Sequence, residues 1–286
     1  MMTIREALTE GSAVLAAAGV ENPGLDASLL LAEVLKTSRS SLMTAASEPL
    51  TEALRAIFDG LIKRRLAGEC TAYILGRKEF YGMDFQVNPA VLVPRPDTET
   101  LVEAALEQLA SKSPLRILDL CTGCGVVAIA LKHAMPELEI WATDISVEAL
   151  EIAQANASRL LSSETIHFCR GDLFDAFSNE QRSLFSLIIS NPPYIPTAEI
   201  AGLSPEVRGE PMLALDGGGD GLDIIRSIIS RAPEFLCSGG GLLLEADPRQ
   251  MERIKSLLLQ AGFTTIQTRR DLSGKERVIG GNIHHI

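Results

Sequence analysis

The residues Asn191-Pro192-Pro193-Tyr194 follow directly on the apolar run Phe185-Ser186-Leu187-Ile188-Ile189-Ser190. Two prolines stiffen the segment and remove two backbone N–H donors, so carbonyl oxygens and the Asn191 side-chain oxygen remain as acceptors. Acceptors in that arrangement recognise an NH2 group. The nitrogen of a planar amide or aromatic amine is a poor nucleophile, because its lone pair is delocalised. Two acceptors on its hydrogens orient it toward an in-line methyl sulfonium and stabilise the positive charge that develops on it. Such a transfer needs no strong base. Tyr194 suits covering the acceptor group or packing against the sulfonium charge, with ordinary loop packing as the plain alternative.

A second constellation lies upstream. The run Ile117-Leu118-Asp119-Leu120 passes into Cys121-Thr122-Gly123-Cys124-Gly125 and then into an apolar helix. Glycines at 123 and 125 let backbone approach a ligand closely, and the helix start beyond them offers free N–H groups. Asp144 follows the next strand, Glu139 to Thr143, where a carboxylate can accept both ribose hydroxyls of an adenosine. Gly171-Asp172-Leu173-Phe174 follows a third strand, with a carboxylate for an adenine amino group and apolar neighbours for its ring. A helix cap is the plainer role for Asp172. The loop also satisfies the dinucleotide fingerprint through Gly123, Gly125 and Ala128, so by itself it does not separate a nicotinamide dinucleotide from S-adenosylmethionine. Cys121 and Cys124 have the spacing of a redox or zinc pair. No second pair accompanies them, and His133, His167, His284 and His285 are scattered, so no metal is expected.

These residues need elements to position them. From Thr3 to about Gly68 apolar residues recur at helical spacing, with Thr3 and Glu6 as a capping box and Lys63, Arg64 and Arg65 near a helix C-terminus, which predicts a small helical bundle. Short β-like runs from Glu79 to Val93 predict a hairpin linker, and Pro94-Arg95-Pro96 leads into a helix starting at Asp97 or Thr98. Beyond it strands and helices alternate, the signature of a parallel sheet covered on both faces. Thr264–Thr268 and Arg277–Gly280 follow without a helix between them and predict a closing antiparallel hairpin. The expected division is a helical domain over 1–78, a hairpin over 79–95 and an α/β domain over 96–286. Gly217-Gly218-Gly219-Asp220-Gly221 lacks the Gly-Lys-Ser/Thr ending of a phosphate loop and reads as a flexible turn. The proline-bearing stretch 195–215 reads as irregular, ordering on a protein substrate.

The chain has 286 residues, 46% apolar and 22% charged, in the ordinary globular range. Its net charge of −11 disfavours a phosphate backbone as partner. Five cysteines, an odd number, fit a reducing compartment. Without a membrane-length apolar stretch or a secretory pattern at the N-terminus, the expectation is a soluble cytoplasmic protein.

Taken together, Ala72-Tyr73-Ile74-Leu75-Gly76, Glu79-Phe80-Tyr81-Gly82, Leu92 to Glu99, Asp119 to Gly125, Asn191 to Tyr194 and Asp271 to Arg277 resemble the HemK/PrmC family. These are S-adenosylmethionine-dependent methyltransferases that modify the glutamine of the Gly-Gly-Gln motif in peptide chain release factors. The resemblance implies a Rossmann-like class I methyltransferase sheet joined by a hairpin to a helical domain that recognises the release factor. It implies cofactor contacts from Asp119, Cys121, Thr122, Gly123, Cys124, Gly125, Asp144, Asp172, Leu173 and Asn191. Asn191 and the Pro192 carbonyl would hold the glutamine amide, with Pro193 and Tyr194 beside them and Phe80 and Arg95 lining the substrate side. Cys121 stands where many members have Gly, Leu173 where some have an aromatic, and Glu245-Ala246-Asp247 departs from the usual segment. The alternatives are a glutamine methyltransferase of a ribosomal protein, an adenine-amino DNA methyltransferase and a nicotinamide-dependent oxidoreductase.

Overall fold

A computed structural model describes residues 2–110, 116–161, 165–178 and 182–284, so His285 lies outside the described residues. The chain divides into two compact units, 1–77 with 204–209, and 78–203 with 210–286.

The first unit is helical: α1 (Ile4–Ala17), α2 (Pro23–Val34), α3 (Arg39–Thr44), α4 (Glu52–Leu66) and α5 (Thr71–Leu75). Thr3 and Glu6 close the expected capping box on α1. Leu15, Leu30, Leu31 and Phe58 form its buried centre. Arg65 does not serve as an exposed cation at the end of α4. It turns inward, 3% exposed, to donate to Asp26 of α2 at 2.7 Å and to pair with Glu206 of the 204–209 segment.

In the second unit β1 (Arg77–Phe80) and β2 (Met83–Gln86) form the hairpin. Tyr81 and Gly82 both have positive φ, 51° and 74°, as a two-residue turn matched to strand twist requires. The hairpin is shorter than expected, because 87–95 runs on without a strand partner. Buried Asn156 holds it, accepting from Gln86 N at 2.7 Å and donating to the carbonyls of Gln86 and Cys124 at 3.0 Å.

A 3-10 turn, Pro96–Thr98, leads into α6 (Glu99–Leu109). Alternation then proceeds through β3 (Arg116–Leu120), α7 (Val126–Ala134), β4 (Glu139–Asp144), α8 (Val147–Leu160), β5 (Ile166–Arg170) and β6 (Phe185–Ser190). Where sequence suggested only irregular chain, three short helices form: α9 (Thr197–Ile200), α10 (Pro205–Arg208), which belongs to the first unit, and α11 (Met212–Leu215). The rest is α12 (Asp223–Phe235), β7 (Leu236–Glu245), α13 (Met251–Gln260), β8 (Thr264–Arg270) and β9 (Glu276–Asn282). The sheet order is β5-β4-β3-β6-β7-β9-β8, parallel through β7, with β9 antiparallel between β7 and β8. This is the expected Rossmann-like layering with its closing hairpin. Two apolar clusters cover the faces, one centred on Leu101, Ile129 and Leu187, the other on Ile188, Ile225 and Leu244. Every residue of β6 is buried, as a central parallel strand demands. Among the described residues no helix is long and apolar enough to cross a membrane.

Candidate active site

Register brings the functional loops to one edge of the sheet. Leu120 pairs with Thr143 on one side and Ser190 on the other, and Asp144 pairs with Arg170. The segments after β3, β4, β5 and β6 therefore leave the sheet at the same level, where open α/β sheets bind ligands. They surround a cavity of about 330 Å3.

The loop after β3 is built on left-handed backbone. Cys121 has φ 59°, Gly123 56° and Gly125 84°. A side chain at 125 would meet Ala153 Cβ at 3.2 Å and Ile129 Cδ1 at 3.0 Å, so this glycine is needed for both conformation and space. Cys121 holds a left-handed conformation that favours glycine. Burial pushes the Cys121 thiol up and the Cys124 thiol up to about 12, opposite to the activation that thiolate chemistry requires. Among the described residues no three His, Cys, Asp or Glu side chains converge as a metal site.

Carboxylates organise the loop. Asp119, buried, accepts from Thr122 Oγ1 at 2.6 Å, and burial raises its carboxyl to about 7 against the opposing bonds from Thr122 and the Ala128 amide. Asp144 accepts from Gly123 N at 2.9 Å and Ser146 N at 3.0 Å, with burial again raising its carboxyl. The loop amide that a pyrophosphate would use is thus already occupied by an internal carboxylate. Asp119, Asp144 and Asp172 around one cavity repel a dinucleotide's phosphates and suit a cationic ligand. Asp172 precedes a 3-10 turn, Leu173–Ala176, without capping it through its side chain, so capping does not explain this residue.

The donor set fits S-adenosylmethionine. Thr143 Oγ1, lining the cavity, is buried without a hydrogen-bond partner. It stands beside the two carboxylates proposed for nucleoside hydroxyls and amino group, while Leu173 supplies an apolar wall. A hydroxyl in that condition awaits a polar group from a ligand.

Beyond β6, Ser190 Oγ donates to the Leu120 carbonyl at 2.7 Å and locks the strand end below Asn191. Asn191 Nδ2 donates to Thr98 Oγ1 at 3.2 Å. Tyr194 turns away from the cavity, packs on the core and donates to Glu245 Oε1 at 3.3 Å. Of the two readings of Tyr194, cover or ordinary packing, the structure shows packing. The glycine run after 216 is likewise a packed brace and not a flexible turn. Gly217 N donates to the Ile195 carbonyl at 2.9 Å, and a Cβ on Gly217 would lie 2.8 Å from Pro193 O and from Tyr194 Cα. Gln250 completes the brace, its Nε2 donating to Tyr194 O at 3.0 Å and Gly221 O at 3.2 Å.

Of the residues singled out in the sequence, Asp119, Cys121, Thr122, Gly123, Cys124, Asp144, Asp172, Leu173, Asn191, Pro193 and Arg95 line the cavity. Gly125 lies beneath it as the N-cap of α7. Pro192 is buried in its loop and is not a lining residue. Phe80 is corrected outright: it is 1% exposed and packs edge-on against Phe85 in the core, 6.0 Å between centroids, and touches no substrate space. Arg95 is held by Glu210, whose other oxygen accepts from Val93 N at 3.1 Å. The sequence reading took Thr98 only as a helix start and Glu245 only as part of a departure from the usual segment, and it passed over Gln250. Their signal was a polar side chain at the end of a buried apolar run or turn, which says that a partner exists without saying which.

Residues 6–76 match the family described as the PrmC N-terminal domain, and residues 97–202 the methyltransferase small domain. A release factor glutamine methyltransferase of Moorella thermoacetica is 42% identical over 278 residues, covering 96% of this chain and 97% of that one. One from Geobacter sulfurreducens is 41% identical, covering 98% and 97%. Among solved structures, a ribosomal protein L11 methylase from Lactobacillus delbrueckii subsp. bulgaricus superposes with a TM-score of 0.51 at 22% identity, over 70% of this chain and 84% of that one, a likeness of fold. With identity at this level running through both units, the chain belongs to the release factor glutamine methyltransferase family.

Proposed function

We propose that this protein transfers a methyl group from S-adenosylmethionine to the side-chain amide nitrogen of the glutamine in the Gly-Gly-Gln motif of peptide chain release factors. The observation that carries the reading is Asn191 at the end of β6, lining the same cavity as Asp144, Asp172 and the unpartnered Thr143 hydroxyl.

S-adenosylmethionine supplies, when bound, an electrophilic methyl carbon on a positively charged sulfur. Asp144 and Asp172 would hold its nucleoside end, Leu173 would lie along the base, and the loop 121–125 would follow its backbone-like portion. Asn191 Oδ1 accepts an N–H of the glutamine amide and, with a carbonyl of its loop as second acceptor, turns the nitrogen toward the methyl group. Both acceptors gain strength as positive charge grows on that nitrogen, so they favour the transition state over the ground state. Pro193 keeps this loop stiff, and the brace formed by Gly217, Gly221 and Gln250 fixes its far side. Arg95 stands at the cavity wall for the protein substrate. Asp119 is engaged by Thr122 and shapes the loop. The helical unit supplies recognition of the release factor, and the net charge of −11 favours a protein over a nucleic acid as acceptor.

The test is transfer of labelled methyl to purified release factor by wild type and Asn191→Ala, with a factor whose motif glutamine is replaced as control. Label on the intact factor with wild type alone is expected. Binding of S-adenosylmethionine without labelling of any release factor overturns the acceptor and directs attention to ribosomal proteins.

A further inference from the structure

The short helix α11 carries two large apolar side chains that the fold leaves in water. Met212 is 58% exposed and Leu213 55%. Leu213 nevertheless lines the cavity, together with its neighbours Pro211 and Ala214. A side chain more than half exposed that also lines a cavity stands at its rim. Exposed leucines are ordinary one at a time, so exposure alone says little. What sets this pair apart is the way the helix beneath it is fixed.

Both ends of α11 are tied to walls of the cavity. Before it, the buried Glu210 carboxylate accepts from Val93 N at 3.1 Å and pairs with Arg95, a lining residue. After it, the Leu215 carbonyl accepts from Ile195 N at 3.0 Å, directly beyond Tyr194 in the loop that begins at Asn191. A single helical turn is not stable in water by itself. Here it is fastened with Leu215 buried and with Met212 and Leu213 left outside. Its ties run to the Arg95 segment and to the Asn191 loop, which places α11 at the acceptor end of the cavity.

Chain geometry says what reaches this rim. From Cα to amide nitrogen an extended glutamine side chain spans roughly 5 Å. With that nitrogen at Asn191, the backbone of the glutamine and of the residues before it has to lie at the cavity mouth. In Gly-Gly-Gln those residues have no side chain, and their peptide planes can lie flat on an apolar surface. We propose that Met212 and Leu213 form a sill on which the two glycines rest, and that Leu213 is a specificity-determining residue that selects a glutamine preceded by glycine. A Cβ in place of the nearer glycine meets the Leu213 side chain. The inference rests on the release-factor reading of the site. Covering the sill also drives water from around the amide, which strengthens the hydrogen bond that Asn191 accepts.

The experiment compares wild type, Leu213→Ala, Met212→Ala and Leu259→Ala, the last a similarly exposed leucine on α13. Each is given release factor carrying Gly-Gly-Gln and the same factor carrying Gly-Ala-Gln, and kcat, KM and S-adenosylmethionine affinity are read. Leu213→Ala and Met212→Ala are expected to raise KM for the intact motif about 3- to 10-fold, the scale of leaving half of such a side chain uncovered. S-adenosylmethionine affinity should stay at its wild-type value. Wild type should prefer Gly-Gly-Gln by about 10-fold or more in kcat/KM, and Leu213→Ala should narrow that ratio by about threefold or more, since it makes room for the added methyl group. A leucine with a purely structural duty would move both substrates alike and leave the ratio standing. An unchanged ratio in Leu213→Ala, or a wild type without preference for glycine, overturns the selection. Wild-type KM in both sill variants, or an equal rise in Leu259→Ala, overturns the sill. Weakened S-adenosylmethionine binding in Leu213→Ala assigns that side chain to the cofactor and overturns it as well. A wild type that labels neither factor overturns the release-factor reading instead.

Discussion

Asn191 owns one oxygen and one nitrogen, and the account asks it to offer the oxygen. Replacement by alanine removes an acceptor that strengthens as charge develops, so kcat is expected to fall roughly 100- to 1,000-fold. S-adenosylmethionine affinity, measured by calorimetry, should change little. Asp144 sits on the other side of the ledger of roles: it binds Gly123 N and Ser146 N, and Asp144→Ala should weaken S-adenosylmethionine binding at least tenfold, because loop and ligand lose the same group. Asp119 makes a pH prediction. An unfolded Asp releases its proton near 3.8, whereas buried Asp119 keeps its proton to about 7. The native state thus binds the extra proton between those values, and this residue makes the fold less stable as pH rises across that window. Above about 7 the whole cost is present. Asp119→Asn, which still accepts from Thr122, should therefore gain melting temperature relative to wild type at pH 8 and much less at pH 5. An unchanged difference between the two would remove Asp119 from the list of costly buried charges.

At the scale of elements, the loop after β3 and the brace on the Asn191 loop carry the load. A side chain at Gly125 meets Ala153 and Ile129 on a backbone with φ 84°. Gly125→Ala should cost about 1–3 kcal/mol in chemical denaturation. It should cost cofactor affinity as well. Much of this layer was legible in the sequence. The strands announced themselves as short apolar runs ending in Asp, Gly or Asn, and the parallel register follows once helices intervene. The closing hairpin was readable because no helix separates Thr264–Thr268 from Arg277–Gly280. Other features were hidden for a physical reason. Thr98 looks like a helix cap, yet its hydroxyl makes no capping bond and serves Asn191, 93 positions away. Glu245, Gln250 and Asn156 are polar residues whose partners lie 51, 56 and 70 positions away, beyond the reach of any periodicity. Phe80 misled for the converse reason: an aromatic in a hairpin serves equally as core or as substrate wall, and only packing decides. The glycine run from Gly217 read as flexible because glycine permits motion, although here it permits close approach to Tyr194.

At the scale of the whole molecule, the chain combines a helical unit with a sheet whose functional loops open on one edge. In the helical unit Arg65 is the buried cation between Asp26 and Glu206. Arg65→Met leaves Asp26 without its charge partner, and removing one member of such a pair costs about 3–5 kcal/mol. That unit should melt earlier, and KM for the release factor should rise, while S-adenosylmethionine affinity stays at its wild-type value. A rise in both constants together would contradict separate duties for the two units. The central claim is the acceptor. It is tested most directly by incubating release factor with wild-type enzyme and S-adenosylmethionine and locating the added methyl group by tandem mass spectrometry. The account predicts one methyl on the side-chain nitrogen of the Gly-Gly-Gln glutamine, absent when Asn191→Ala replaces the wild type. A methyl on any other residue, or on that glutamine irrespective of Asn191, would contradict it.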